Sequence, residues 1–419
     1  MKHVDLAVTH AAPATDWKDL LPLYFAGGAS AAAVVSIAAS QILLGLALAS
    51  LIATGRKPRW LPIYPALITW CSLTILSALF SGHARGGFPQ IKKFYVYLML
   101  VVVSTGFRKV SEVRVLALVW SAVASASAAW SLVQFARKYR GSIGNGADFY
   151  TSYVSDRVTG FMDHWMTFSG EMMMALLILG ALLLFSRDRS GLAWLYPAGA
   201  LIAIGLVAAF TRSMWVGAAV GGAFLLWSRR PVLILALPIA AGLLILANPF
   251  QLRDRVFSIV QPHGDLDSNA HRALTRLVGW EMIKAHPLLG VGPEQVKAQF
   301  DDYVPTDYPR PLPSGYYGHL HNIYYHYAAE RGIPALMALL WLLGRAIFDF
   351  ARSLRSSPRA SESRWVLYAA LAVLIAVMLS GYEEVNLGDS EVLAMFLAAV
   401  ACGYVAVMQA QTSSSDLKV

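Results

Sequence analysis

The chain alternates between long apolar runs and short connectors that carry arginine, lysine, glycine and proline. Runs of this kind cross a bilayer as α-helices, because roughly 20 apolar residues span its hydrocarbon core and the helix satisfies every backbone polar group. Only 14% of the 419 residues are charged, whereas a soluble domain carries roughly 25%. The pattern therefore predicts an all-α integral membrane protein without a soluble catalytic domain.

About twelve transmembrane helices are expected. The candidate spans are 21–37, 38–55, 61–81, 92–106, 115–136, 166–186, 192–210, 213–228, 232–248, 333–351, 365–381 and 390–410. They divide the chain into a cytoplasmic N-terminal tail (1–20), helices 1–9 (21–248), a periplasmic loop (249–321), helices 10–12 (322–410) and a cytoplasmic C-terminal tail (411–419).

The basic residues predict the orientation of these spans. Connectors on one side carry most of the arginine and lysine, namely those at 56–59, 108–114, 187–189, 229–230 and 352–364. Because such connectors stay in the cytoplasm, both termini are expected there and the loops at 137–165 and 249–321 face outward, to the periplasm of a bacterium with an inner membrane. The net charge of +9 then reflects span ends beside anionic bilayer lipids and predicts no nucleic-acid partner.

The loop at 249–321 is too long for a plain connector, and loops of that length are usually functional or disordered. Its segment from His271 to Ala285 places apolar Leu274, Leu277, Val278 and Met282 at helical spacing. This spacing predicts an amphipathic helix that lies along the mouth of the bundle or on the membrane surface.

His321 is the candidate proton acceptor. It lies in the tract Gly318–Tyr325, where the long loop re-enters the membrane, and a histidine can accept a proton near neutral pH. Two alternatives remain open at this point. The histidine could simply anchor the helix start at the interface beside tyrosines, or His319, His321 and His326 could bind zinc, although no carboxylate lies close in sequence before Glu330.

Four arginines on the same side of the membrane are candidates for binding an anion. Arg212 interrupts two apolar runs, where a charge is costly unless it faces a cavity or a partner. Arg272 and Arg276 are four residues apart on the loop helix, on a face that Trp280 continues, and such a pair can bind one phosphate or pyrophosphate. Arg157 precedes the sixth span. Snorkelling to headgroups and a solvated helix face are the plainer interpretations.

Arginines beside one candidate base suggest transfer of a group away from a phosphate leaving group. Two acidic pairs, Asp301–Asp302 and Glu383–Glu384, could hold a divalent cation. No residues of phosphate-binding character adjoin them in the sequence, so both pairs are interpreted as solvated. No metal and no cofactor are therefore expected.

These tracts resemble the O-antigen ligase and polymerase superfamily, the Wzy-C or WaaL-like proteins. The most specific stretch runs from Arg272 to the turn His-Pro-Leu-Leu-Gly-Val-Gly (286–292), and it is followed by His321-Asn-Ile-Tyr-Tyr and Gly332. Arg157-x-x-Gly160 and Thr211-Arg212-Ser213 support the resemblance, which covers most of the chain. Tyr325 stands where many relatives have leucine, a minor departure.

The resemblance implies a GT-C-like glycosyltransferase that moves a glycan from undecaprenyl pyrophosphate to a sugar of lipid A–core oligosaccharide. It implies His321 as the general base and Arg212 and Arg272 as donor-binding arginines, with Arg157 matched less securely. The expected reaction is metal-independent and inverts the anomeric configuration. Candidate sugar contacts are Trp280, Tyr316, Tyr317 and Tyr324, and no role is carried over to His319 or Arg276. An O-antigen polymerase, a protein O-oligosaccharyltransferase, a transporter and a lipid flippase are the alternatives.

Overall fold

The computed structural model describes residues 17–416 except 83, 259, 262 and 264–268. Across these residues the chain folds into α-helices and short 3-10 turns, without a β-strand. The helices are α1 (Trp17–Ala32), α2 (Ile37–Ala53), α3 (Tyr64–Phe80), α4 (Ala84–Lys92), α5 (Leu98–Gly106), α6 (Val110–Gly144), α7 (Phe149–Ser155), α8 (Trp165–Phe185), α9 (Leu195–Ala208), α10 (Arg212–Arg229), α11 (Ala236–Ala247), α12 (Leu252–Phe257), α13 (Asn269–Ala285), α14 (Val296–Gln299), α15 (Ile323–Ser356), α16 (Ser363–Ser380) and α17 (Ser390–Asp416).

Each of the twelve predicted spans falls on helical structure. By length and composition, five helices of the described chain can cross a membrane: α6, α8, α15, α16 and α17. A sixth is added if the bent pair Pro231–Ala247 and Pro249–Phe257 is one span. The apolar helices α1, α2, α3 and α9 are shorter. The protein is thus an α-helical, multi-pass membrane protein, and the number twelve stays a prediction. Residues 1–16 and 417–419 of the expected tails lie outside the described residues.

The centre of the bundle consists of α8, α16 and α17, whose side chains are the most buried. Helix α10 packs against α8 and α16 through Gly217 and Gly221, which are one turn apart. A Cβ at Gly221 would lie 2.8 Å from a methyl of Leu177 and 3.1 Å from the carbonyl oxygen of Ala372. Small residues at this spacing allow close helix approach inside a membrane, so the pair sets the position of α10.

Replacing Gly221 by leucine is therefore expected to force α10 away from α16 and to destabilise the protein by about 1–3 kcal/mol. The measurement is thermal unfolding of the purified protein in detergent. Gly222→Leu is the matched control, because a Cβ at Gly222 meets nothing within 4 Å. Equal melting temperatures of the two variants would contradict this packing.

The basic connectors meet at one end of the bundle. The Arg59 side chain donates to the carbonyl oxygens of Ser104 (3.0 Å) and Phe107 (3.1 Å), between α5 and α6. Likewise, Arg114 donates to the Asp188 carbonyl at 2.9 Å, and the Arg187 side chain reaches the Ala360 carbonyl at 3.3 Å. This shared end agrees with the predicted cytoplasmic side, although the orientation in the membrane stays a prediction.

The long loop has a small hydrophobic core of its own at the opposite end. Helix α13 confirms the predicted amphipathic helix, and Leu274, Val278 and Met282 are buried in this core. Leu277 was expected on the same apolar face but is 37% exposed, so that part of the pattern was wrong. The core also includes Leu320 and the start of α15, and it thereby fixes α13 against the point where the chain re-enters the bundle.

The glycine-rich turn after α13 is docked on the first turns of α15. The amides of Val291 and Gly292 donate to the carbonyls of Ala329 (2.8 Å) and Glu330 (2.9 Å). Gly290 has φ +67°, and a Cβ there would lie 2.2 Å from the backbone of Glu330. No larger residue fits this approach. The tract 286–292 therefore attaches the loop to α15, and this contact accounts for the glycine-rich turn without a bound ligand.

Candidate active site

A cavity of about 620 Å³ opens at the end of the bundle opposite the basic connectors. Its lining brings together Arg157, Arg212, Arg272 and His321, which lie far apart in the sequence. Arg255, which the sequence pattern did not single out, completes the cationic part of the wall. The cavity thus combines guanidinium groups with a histidine, which is the arrangement expected of an anion-binding site with a base.

The turn between α9 and α10 holds two of these arginines. The carbonyl oxygen of Phe210 accepts hydrogen bonds from Arg255 Nε at 3.0 Å and from Arg157 Nη1 at 3.4 Å. Phe210 has φ +53°, an uncommon conformation for an aromatic residue that is retained where surrounding structure enforces it. Burial, with Arg255 nearby, lowers the pKa of Arg157 to about 9. Arg157 is still charged at neutral pH, and a bound anion would offset the free-energy cost of burying this charge.

Arg212 is the first residue of α10, and its guanidinium points along the cavity wall. Nη1 donates to Ser258 Oγ at 2.8 Å and Nη2 donates to Asn269 Oδ1 at 2.9 Å. These bonds connect α10 to both ends of the loop segment 258–269. The side chain is therefore held in place by residues at either end of this segment.

The arginines of α13 are paired with acidic residues between α16 and α17. Arg272 forms an ion pair with Glu384, and its Nη1 lies 3.8 Å from Glu383 Oε2. Arg276 pairs with Glu383 and lies over the ring of Tyr382 at 5.1 Å. Arg276 lines a neighbouring groove of about 420 Å³, together with Arg212 and Arg272, rather than the main cavity. The two arginines of the predicted pair thus share the groove, but only Arg272 also lines the main cavity.

These ion pairs correct the interpretation of Glu383–Glu384 as solvated. Glu384 is only 1% exposed and lines the main cavity. In the sequence the pair lies in a short segment between two apolar runs, where nothing distinguishes a solvated carboxylate from a buried one. The packing of α13 on this segment places arginines beside the acidic pair, and these offset the free-energy cost of burying the carboxylate.

His321 is held on both sides. Its Nδ1 lies 3.4 Å from Glu384 Oε2, and its backbone amide donates to His319 Nδ1 at 3.4 Å. Its Nε2 is buried and has no hydrogen-bond partner in the described chain. The backbone has φ +49°, a left-handed conformation uncommon for histidine. The chain thus maintains an unfavourable backbone conformation that places this imidazole in the cavity.

The charge of Glu384 defines the tautomer of His321. Burial alone would raise the pKa of Glu384, but the Arg272 guanidinium and the hydrogen bond from His321 hold it at about 2. An ionised carboxylate only accepts hydrogen bonds, so Nδ1 of His321 carries the proton. In the neutral ring the free lone pair is then on Nε2, the buried atom that has no hydrogen-bond partner among the described residues.

Two further histidines surround His321. The ring of His319 lies 4.1 Å from that of His321, and the ring of His271 lies 5.0 Å from it. Burial, with His321 nearby, lowers the pKa of His271 to about 4 and that of His319 to about 3. Both rings are therefore neutral at neutral pH and add no positive charge beside the candidate base.

This burial predicts acid sensitivity. The unfolded chain binds protons at His271 and His319 below about pH 6.5 whereas the folded chain does not, so stability is fully present above that pH and is lost as pH falls towards the folded values. We expect at most about 1.4 kcal/mol of loss per pH unit for each histidine. Thermal unfolding in detergent between about pH 8 and 5 should fall less steeply for His271→Asn/His319→Asn than for the unmodified protein, and equal slopes would contradict the prediction.

The aromatic residues predicted to contact sugars are dispersed. Tyr316 lines the cavity. In the part of the chain that the structure describes, Trp280, Tyr317 and Tyr324 are not in this lining. Trp280 is 51% exposed, and the Tyr317 and Tyr324 hydroxyls donate to the carbonyls of Pro313 and Met378. Of these four residues, Tyr316 is the one that could meet a ligand in the cavity.

The alternative of zinc binding by His319, His321 and His326 has no geometric support. Over the described residues, no group of three histidine, cysteine, aspartate or glutamate side chains is arranged to hold a metal ion. The ring of His326 lies 6.4 Å from that of His319, and its Nε2 faces Glu330 Oε1 at 3.6 Å.

Arg255, Glu384 and His271 are among the cavity residues whose place in the site the sequence did not reveal. Arg255 lies in the short tract Leu-Arg-Asp-Arg-Val-Phe, which reads as an ordinary charged surface, and yet it is 4% exposed. The sequence contains one indication of their place in the site, which is that all three residues lie in segments on the predicted outer side of the membrane. Nothing local separated them from the solvated charges around them.

Comparison with known proteins agrees with this geometry. A family model described as O-antigen ligase (Wzy_C) matches residues 197–340, whereas no curated protein gives a significant match. The matched segment runs from α9 into α15 and includes Arg212, Arg272 and His321 of the cavity lining. Residues 197–340 of this membrane protein are therefore similar to the O-antigen ligase family.

Proposed function

We propose that this protein is an O-antigen ligase that transfers a glycan from undecaprenyl pyrophosphate to a sugar of lipid A–core oligosaccharide. The observation that carries the proposal is the buried, unpartnered Nε2 of His321 in the same cavity as four arginines. A base and an anion site in one enclosure suit transfer of a sugar from a pyrophosphate to a hydroxyl.

The arginine end of the cavity would bind the pyrophosphate of the donor. Arg157, Arg212, Arg255 and Arg272 are all in the lining, while Glu384 offsets only part of their charge. A charge-assisted hydrogen bond contributes about 1.5–3 kcal/mol, and a guanidinium can make two to one phosphate. These groups would also stabilise the charge that develops on the leaving group.

The neighbouring groove would admit the lipid of the donor from the side. It contains Arg212 and Arg272 at one end and exposed Val216 and Leu379 on α10 and α16. Apolar side chains exposed on membrane helices face lipid, so an isoprenoid chain could lie there while its pyrophosphate reaches the arginines.

In the proposed reaction, Nε2 of His321 takes the proton of the acceptor hydroxyl as its oxygen attacks the anomeric carbon of the donor. The new carbon–oxygen bond forms while the bond to the pyrophosphate oxygen breaks, and the electron pair leaves with undecaprenyl pyrophosphate. A single displacement of this kind inverts the anomeric configuration. Glu384 stabilises the imidazolium, which afterwards releases its proton to water.

The reaction is proposed to need no metal, because the arginines would supply the positive charge that a divalent cation provides elsewhere. A chelator is therefore expected to leave the transfer rate unchanged. Activity that disappears with chelator and returns with magnesium would overturn this part of the proposal.

Acceptor choice is tested with purified protein and a lipid-linked glycan donor, with or without lipid A–core. Glycan attached to lipid A–core, only when that acceptor is present, is the expected result. Growth of the lipid-linked glycan itself would indicate a polymerase, and glycan on a serine or threonine peptide would indicate a protein O-oligosaccharyltransferase. Movement of the donor across a vesicle membrane without a new glycosidic bond would indicate a flippase or transporter.

We further propose the bacterial inner membrane as the location, with this cavity facing the periplasm and both termini in the cytoplasm. The convergence of the basic connectors at the other end of the bundle supports it. Labelling of a cysteine introduced at exposed Asp301 by a membrane-impermeant reagent in spheroplasts is expected, and protection until the cells are lysed would contradict the orientation.

A further inference from the structure

The two ends of the main cavity differ in chemistry. A series of contacts leads away from the arginines, from Arg272 to Glu384 and then to His321, His319 and His326. Beyond His326 it continues to Glu330, which accepts a hydrogen bond from the backbone amide of Glu294 at 2.8 Å. His321 therefore lies between the arginine end and a second end on the far side of His326.

This second end contains two carboxylates, an amide and one ammonium group, from Glu294, Asp389, Gln90 and Lys93. We call these four residues the far subsite. The amide nitrogen of Gln90 donates to Glu294, Thr167 Oγ1 donates to Asp389 Oδ2 at 3.0 Å, and Lys93 Nζ donates to the Gly388 carbonyl at 3.0 Å. The side chains are therefore held at the wall, and each carboxylate keeps lone pairs for a ligand.

We propose that the far subsite binds the acceptor sugar and presents one of its hydroxyls to Nε2 of His321. This inference rests on the proposed function. Carboxylates repel a pyrophosphate but accept hydrogen bonds from sugar hydroxyls, and the Gln90 amide both donates and accepts. His321 lies between the two ends in the series of contacts, and its buried Nε2 has no hydrogen-bond partner among the described residues. A proton acceptor is needed at this place if donor and acceptor arrive from opposite sides.

Helix α4 links the far subsite to the membrane surface. Arg85, Phe88 and Lys92 are spaced to share one face of α4, and all three are exposed, Phe88 by 53%. Gln90 lies on the opposite face and lines the cavity. A short basic helix with an exposed aromatic residue is suited to lie in the headgroup layer. An acceptor sugar attached to an anionic lipid would thus reach the far subsite along α4.

The test is steady-state kinetics of Glu294→Gln, Asp389→Asn and the double variant, with donor and acceptor varied separately. We expect each single change to raise the KM for lipid A–core by about tenfold, with the donor KM within about twofold of normal, because a hydrogen bond to a charged group is lost. Asp301→Asn is the matched control, since Asp301 lies in the same loop as Glu294 and its side chain is 77% exposed. A raised donor KM with an unchanged acceptor KM would overturn the proposal.

Binding of delipidated core oligosaccharide to the purified protein separates this inference from the proposed function. If the unmodified protein transfers glycan but neither variant changes the acceptor KM or oligosaccharide binding, the far subsite is wrong and the function stands. If the unmodified protein transfers nothing but binds the oligosaccharide, and the variants weaken that binding, the function fails and the subsite stands. If a carboxylate variant does not fold, Gln90→Ala replaces it, because this change removes no charge. It is likewise expected to raise the KM for lipid A–core and to weaken oligosaccharide binding.

Discussion

His321→Asn is expected to lower the rate of glycan transfer by about 10²–10⁴-fold, the usual contribution of a general base. Asparagine adopts the left-handed conformation more readily than most residues, so the backbone at φ +49° should persist while the proton acceptor is lost. The measurement is the initial rate of transfer at saturating donor and acceptor. Thermal unfolding should show that the variant is folded.

His286→Asn is the matched control for this change. His286 is an exposed histidine of the same loop, and its Nε2 contacts the Tyr303 hydroxyl at 2.8 Å, away from the cavity. Its replacement is expected to leave transfer unchanged. Transfer by His321→Asn at a rate close to that of the control would remove the base from the proposal. Glu384→Gln keeps a hydrogen-bond acceptor beside His321 but removes the charge that pairs with Arg272. It should lower kcat by less than His321→Asn and leave the acceptor KM unchanged.

Arg272→Lys is expected to lower kcat/KM for the donor by about 10–100-fold. Lysine keeps the positive charge beside buried Glu384, so the fold is maintained, but it loses the planar group that can bond one phosphate twice. The expected signature is a raised donor KM with an unchanged acceptor KM. The measurement is transfer at varied concentrations of lipid-linked donor.

Arg310→Lys provides the control for Arg272→Lys, because Arg310 is 58% exposed and pairs with the surface residue Asp301 at 3.7 Å. Normal kinetics are expected. If Arg272→Lys also shows normal kinetics, bidentate binding of phosphate by Arg272 is wrong, and Arg157, Arg212 and Arg255 would have to hold the donor alone.

The helices could be predicted from the sequence, but their ends and lengths only in part. Apolar run length located the helices of the twelve expected spans, but α4, α7, α12 and α14 were not predicted. The expected span at 92–106 also begins with a 3-10 turn at Lys93–Tyr97. The span at 232–248 is likewise divided between a 3-10 turn and α11. Hydrophobicity reports where a segment is buried in lipid, whereas the local winding depends on proline positions and on contacts with neighbouring helices.

The candidate site shows the same division. Arg157, Arg212, Arg272 and His321 could be selected from the sequence because they lie on one predicted side of the membrane and are residue types that bind an anion or accept a proton. The structure places all four in one cavity. Their roles in transfer stay predictions. Arg276 satisfied the same argument but lines the neighbouring groove. Helical spacing tells which face of a helix a side chain is on, but not which cavity lies beside that face.

The sequence by itself determined that this chain is an α-helical membrane protein with an amphipathic loop helix, because period and run length are local properties. Only the tertiary structure decided that Glu384 is buried between Arg272 and His321. Arg272 and Glu384 are 112 residues apart, and their contact depends on how α13 packs over the segment between α16 and α17. The charge state of Glu384, the tautomer of His321 and the far subsite all follow from packing of this kind, which no local pattern contains.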